Sequence, residues 1–270
     1  MFRQMTLGQY YPADSFIHKL DPRVKLFETL VFIIVLFLVN HPIGYILVTA
    51  WTIFIIALSK VPVSFMLRGL RGIVVLLVIA GLFNLFLTPG NALLTLGPLV
   101  ISDAGLQNAI LMTVRMIFLI VGSSVMTLTT TPNQLTDGLE SALHPLSRLK
   151  VPVHEIAMMM SIALRFIPIL IEETDKIMKA QMARGADFEQ GNIIRRAKNM
   201  IPLLVPLFVS AFRRANDLAL AMEARCYNGG EGRTKMKPLV YDRRDYISYV
   251  VICLFLAVLI AVHFMPGITF

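Results

Sequence analysis

Two arginines in matching surroundings are the residues best placed to do chemistry. Arg184 stands in Ala183-Arg184-Gly185 and Arg225 in Ala224-Arg225-Cys226. Each phrase closes a long helix-like run, the first holding Pro168 and the second Pro202 and Pro206. A guanidinium forks onto a carboxylate, so the chemistry is recognition of an acidic partner rather than bond breaking. The helix dipole alone favours a cation at a C-terminus by roughly 0.3–1 kcal/mol, enough to account for either arginine singly. Recurrence of the whole phrase points further, to a two-pronged plug.

Other candidates carry less. Arg115 falls inside an apolar run, where an ionisable group is costly and needs a partner. Glu28 or backbone carbonyls are the expected partners. Asn84 is expected to hydrogen-bond between helices. The five histidines share no ligand spacing, and Cys226 and Cys253 form no CxxC, so neither a metal site nor a disulfide framework is indicated. No GxxxxGK[ST] loop occurs, and the apolar runs hold no paired carboxylates. No cofactor and no catalytic set is expected.

The elements that position these residues follow from composition. Hydrophobic residues make up 56% of the 270 and charged residues only 16%. A soluble domain is nearer 45–50% apolar, so this is a membrane protein. The net charge of +8 does not signal nucleic acid, because the basic residues are sorted by side. Apolar runs are expected near 24–40, 43–59, 72–87, 105–128 and 246–264, with a short interfacial helix at 63–71. Segments 1–25, 60–71 and 129–245 hold 24 of the 25 Lys and Arg residues. Five spans with the N-terminus inside and the C-terminus outside satisfy this sorting. The polar first two dozen residues give no cleavable signal peptide. Residues 88–104, with Pro89, Gly90, Gly97 and Pro98, read as a loop.

The fold class expected is an all-α membrane protein with about five transmembrane helices plus long cytoplasmic helices. The division is 1–129 (arm and four spans), 130–245 (cytoplasmic) and 246–270 (last span). Asp21-Pro22 should start the first helix, and Thr131-Pro132-Asn133-Gln134 another. A helix over 153–186 would run about 50 Å. Proline should kink it at 168 and bend its successor at 202 and 206. Neither helix reads as apolar enough to cross a membrane, yet both exceed the needs of a soluble surface. Methionine is dense here: Met158, Met159, Met160, Met178, Met182, Met200 and Met222. Such residues pack helices together or form an adaptable docking face.

The chain resembles the transmembrane T component of energy-coupling factor transporters, ABC-type importers of vitamins and metal ions. The resemblance covers nearly the whole chain. It rests on His18-Lys19-Leu20-Asp21-Pro22-Arg23-Val24-Lys25 and on both three-residue motifs, with Cys226 replacing a second glycine. It implies that Ala183, Arg184, Gly185, Ala224, Arg225 and Cys226 couple to two cytosolic ATPases. It implies that a substrate-binding membrane S component, exchangeable on a shared module, docks on Met158, Met159, Met160, Ile167, Leu204 and Leu207. The chain would then sit in the cytoplasmic membrane of a prokaryote, in contact with lipid, as a non-catalytic subunit. A stand-alone secondary transporter or channel is the alternative, disfavoured by a single mid-membrane charge.

Overall fold

A computed structural model describes residues 10–39, 42–96, 99–186, 188, 194, 198–229, 236 and 238–263. Several sequence expectations lie wholly or partly outside these residues. They are the arm before Tyr10, the Asn40-His41 break, the turn over 187–192, Arg195 and Arg196, the glycines at 230 and 232, and the tail beyond 263.

The chain divides into two compact units. The described residues of Gly8–Gly138 and Leu239–Phe270 form the first, and those of Leu139–Pro238 the second. The boundary falls inside one helix.

The first unit begins its α1, Pro22–Leu38, as the sequence predicts: the Asp21 side chain accepts from the Arg23 N–H, and Pro22 fits the first turn. α2 is Pro42–Ser59, α3 Val63–Arg71 and α4 Val74–Leu87. The stretch read as a loop instead holds an antiparallel hairpin, β1 Ala92–Leu96 with β2 Leu99–Ser102. Ser102 then caps α5, Asp103–Thr129, by accepting from the Gly105 N–H. α6 is Pro132–Leu143. Its start is a reciprocal capping box, in which Thr131 and Gln134 each accept from the other's backbone N–H. The last helix of this unit is α9, Arg243–His263.

Its core joins α1, α2 and α9 through Phe32, Val35, Leu36, Tyr45, Val48, Phe255 and Leu259. Trp51 stacks on Phe255 with ring centroids 4.3 Å apart. α5 closes on α1 at Gly122, where a Cβ would lie 2.4 Å from the Phe32 ring. A smaller cluster of Val61, Met66, Val125 and Leu128 seats α3 on α5. Large apolar side chains such as Leu30, Ile34, Phe37, Ile46 and Val75 are exposed, as lipid-facing helices require.

By length and composition, α5, α9 and the second unit's Val153–Ala183 helix can each cross a membrane, and α2 with α3 adds a bent pair that passes as one span. α1 and α4 are shorter, at 17 and 14 residues. The molecule is an all-α membrane protein with a two-stranded ornament.

The second unit contains a 3-10 turn, His144–Leu149, then α7, Val153–Ala183, and α8, Ile201–Glu223. The expectation that neither long helix is apolar enough to span is overturned for α7. Five of its seven charges fall between Glu172 and Lys179, leaving ahead of them an apolar stretch that holds only Glu155 and Arg165. Pro168 lies within an α7 that runs unbroken through it. Pro202 sits in the first turn of α8, where a missing N–H costs nothing, so it starts the helix rather than bending it.

Candidate functional site

Both arginine phrases fold into the same helix stop. At the end of α7, Gly185 N–H donates to the Met182 carbonyl and Ala186 N–H to the Gln181 carbonyl, each at 3.0 Å. At the end of α8, Cys226 N–H donates to Glu223 at 2.9 Å and Tyr227 N–H to Met222 at 3.0 Å. Each is a Schellman motif: arginine is the cap, alanine precedes it, and the third residue turns left-handed. Gly185 has φ +89° and Cys226 φ +55°. Glycine enters this region without steric cost, whereas Cys226 enters it against strain. All six residues of the two phrases are exposed.

α7 and α8 pack antiparallel. Glu173 on α7 accepts from Ser210 on α8, and its Oε2 accepts from Arg214 Nε at 3.1 Å and Nη2 at 2.8 Å. Eight residues further along α7, Gln181 Nε2 donates to the Pro202 carbonyl at 3.4 Å, eight residues earlier on α8. This register puts Arg184 and Arg225 at opposite ends of the pair. They are roughly 40 Å apart along it at 1.5 Å per residue. The structure does not bring the two arginines together; it spaces them.

The expected docking residues are spread out too. Met159, Met160 and Leu204 are exposed, while Met158, Ile167 and Leu207 are half-buried. In the same register, Met160 lies roughly 24 Å along α7 from the level of Leu207. The six line a long track rather than one patch. Sequence reasoning did not single out Phe208 and Phe212, whose rings lie 5.2 Å apart on α8 and which are both strongly exposed. Their i, i+4 spacing was the available signal. Glu173 carries no local signal of its role; pinning the crossing depends on the α8 register.

Elsewhere the polar residues that the sequence singles out within the helices have partners. Arg115 Nη2 donates to the Val39 carbonyl at 2.9 Å and Nε to the Tyr45 hydroxyl at 3.2 Å. It therefore satisfies the C-terminus of α1, the carbonyl pairing of the two options expected. Glu28 instead accepts from Ser248 at 2.6 Å. Asn84 donates within its own helix, to the Ala80 carbonyl at 2.9 Å, rather than between helices. An amide in an apolar helix can meet its need four residues back.

The His18–Lys25 stretch forms a polar clasp at the start of α1. Lys25 Nζ donates to the carbonyls of His18 at 3.2 Å and Thr129 at 3.0 Å. Arg23 Nη2 donates to the Leu239 carbonyl at 2.9 Å, and its guanidinium lies 5.1 Å from the Tyr241 ring centroid. Among the described residues no group of three or more His, Cys, Asp or Glu converges as a metal site.

An all-α membrane protein with a paired, arginine-tipped helical unit is the class these features define. Residues 13–236 match the family described as cobalt transport protein, CbiQ. The chain is 54% identical over 250 residues to the energy-coupling factor transporter transmembrane protein EcfT of Clostridium kluyveri, covering 92% of this chain and 93% of that protein. It is 50% identical over 265 residues to EcfT of Ruminiclostridium cellulolyticum, covering 98% and 99%. It is 48% identical over 261 residues to EcfT of Bacillus subtilis, covering 96% and 98%. The chain belongs to this family of energy-coupling factor transporter transmembrane proteins.

Proposed function

We propose that the chain is the coupling subunit of an energy-coupling factor importer. Two cytosolic ABC ATPases grip its Arg184 and Arg225 ends. A substrate-binding membrane S component rests on the apolar track of Met158, Met159, Met160, Ile167, Leu204 and Leu207. ATP-driven motion of the ATPases rocks α7 and α8 and tilts the S component, importing a vitamin or a metal ion. The chain itself catalyses nothing. The sorting of its basic residues supports an N-terminus and charged ends of α7 and α8 on the cytoplasmic side of a prokaryotic membrane, with the C-terminus outside.

The observation that supports this reading best is the pair of identical, exposed arginine caps at opposite ends of a pinned antiparallel pair. Each presents a forked cation at a fixed, rigid tip, suited to an acidic groove in a separate partner. Spacing of tens of ångströms suits two partner molecules rather than one.

The test is co-purification. Wild type should retain the ATPases and support uptake. Arg184→Glu with Arg225→Glu should release them and abolish uptake. Full ATPase retention and uptake in that double variant would overturn the reading. Solute transport by the lone chain in liposomes would favour a stand-alone transporter instead.

A further inference from the structure

A cavity of about 290 Å³ opens within the first unit, among α1, α2, α5 and α9. Trp51 lines it and stacks on Phe255, where α2 and α9 touch. Its floor is the arm preceding α1, through Phe16 and Leu20. Leu58 of α2 and Ile247 of α9 also line it. Phe54 on α2 and Ile247 on α9 line the cavity and are 50% and 55% exposed, so it reaches the surface between these two apolar helices.

The wall chemistry selects the occupant. Six side chains on the wall are polar, and each already has a protein partner. Lys25 is held by two carbonyls, Glu28 by Ser248, and Thr29, Thr52 and Thr129 by carbonyls four residues back in their own helices. The hydroxyl protons and two of the lysine's are committed, so the wall offers a polar solute few free donors. The remaining surface is aliphatic and aromatic. An apolar cavity stays dry, and one of roughly half this size takes benzene. The solvent at a lateral mouth in a bilayer is hydrocarbon, not water.

We infer that this cavity holds one acyl chain of a membrane phospholipid, entering between α2 and α9 and ending against Trp51. A free fatty acid fits less well, because its carboxylate would meet Glu28 and a lysine already committed to carbonyls. The bound chain fills the space between α1 and α9 at the end of the bundle where the arm and both helix starts meet.

Trp51 is the sole tryptophan of the chain and so reports on the site directly. The full-length protein would be placed in nanodiscs containing phosphatidylcholine with brominated acyl chains at increasing mole fraction. Wild-type fluorescence should quench with a saturating component. Its midpoint should lie at least about threefold lower in brominated lipid than the gradual quenching by surrounding lipid. Val251→Phe and, independently, Met126→Phe fill the cavity from opposite walls and should remove that component. Thr52→Val keeps the volume and should leave it intact. Native mass spectrometry should find one retained phospholipid on wild type and on T52V, and none on the two filled variants. Quenching proportional to mole fraction in wild type would overturn the inference. So would unchanged quenching in both filled variants, stronger quenching by brominated fatty acid, or protection of Trp51 only when a partner membrane protein is added.

Discussion

Asp245 accepts from the Asp21 backbone N–H at 2.9 Å, joining the starts of the first and last helices of one unit across 224 residues. Its other oxygen accepts from the Asp242 N–H at 2.8 Å, and the residue is 2% exposed. The carboxylate thus ties two backbone donors, and the bond from Asp21 is buried. Asp245→Asn keeps the shape but replaces one acceptor with a donor facing a donor. A buried donor left unpaired costs about 1–3 kcal/mol. The variant should melt lower in detergent than wild type, and Asp245→Ala should fall at least as far. Unchanged melting of both would show that the clasp contributes nothing to stability.

The crossing of α7 and α8 depends on Glu173 and Arg214. The pair is partly solvated, so its direct worth is modest, about 0.5–1 kcal/mol. Its effect on register should exceed its effect on stability. Glu173→Ala and Arg214→Ala should each lower uptake while ATP hydrolysis by the assembled complex persists. A double-mutant cycle should show the two losses to be non-additive. Additive losses, or equal loss of hydrolysis and uptake, would assign the pair a merely local role.

His18 offers a pH-dependent readout outside the membrane helices. Its Nε2 lies 2.9 Å from the Tyr11 carbonyl and therefore carries the proton, while Nδ1 lies 2.6 Å from the Ser15 hydroxyl. Burial pushes its pKa below the ordinary histidine value. The neutral ring is favoured in the fold, so the unfolded chain binds the proton more readily. The resulting stability is fully present above the unfolded pKa, near 6.5, and is lost as pH falls through the lower folded value. Melting should drop between pH 7.5 and 5, and His18→Gln should shrink that drop. An identical drop in the variant would place the pH dependence elsewhere.

What the sequence made legible was local. Asp21-Pro22 and Thr131 with Gln134 act within four residues, so their capping could be foreseen from residue type alone. The left-handed turn at Cys226 was not legible, since a residue with a Cβ does not announce a positive φ. Pairings set by the register of distant helices were not legible. Nothing near Glu173 announces Arg214, and nothing near Asp21 announces Asp245. The hairpin at 92–102 went unseen although Gly97-Pro98 separates two apolar runs, because a turn pair there also suits a plain loop. α7 misled for a different reason: Glu155 and Arg165 interrupt its apolar part, yet an 18-residue window with two charges is still apolar enough to span.

Cys226 and Cys253 are both exposed, but in different surroundings. Cys253 lies mid-way along the apolar α9, and Cys226 at a polar helix end. A membrane-impermeant maleimide should label Cys226 on the purified chain and leave Cys253 unlabelled in a bilayer. Assembly with the ATPases should protect Cys226 if they cover the Arg225 end. Equal labelling with and without them would argue that this end stays open.

The two helix stops also allow a matched pair of substitutions. Cys226 holds φ +55°, a region that costs an ordinary L-residue roughly 1–2 kcal/mol and glycine almost nothing. Cys226→Gly should raise the melting temperature. Gly185 holds φ +89°, and a Cβ added there would meet nothing within 4 Å. Gly185→Ala therefore tests backbone strain without a steric clash, and it should lower melting by a comparable amount. The double exchange should restore wild-type stability, because the two sites lie at opposite ends of the helix pair and share no contact. If Cys226→Gly destabilises, the left-handed geometry is not what limits that turn. The thiol would then be making a contact that matters more than backbone strain.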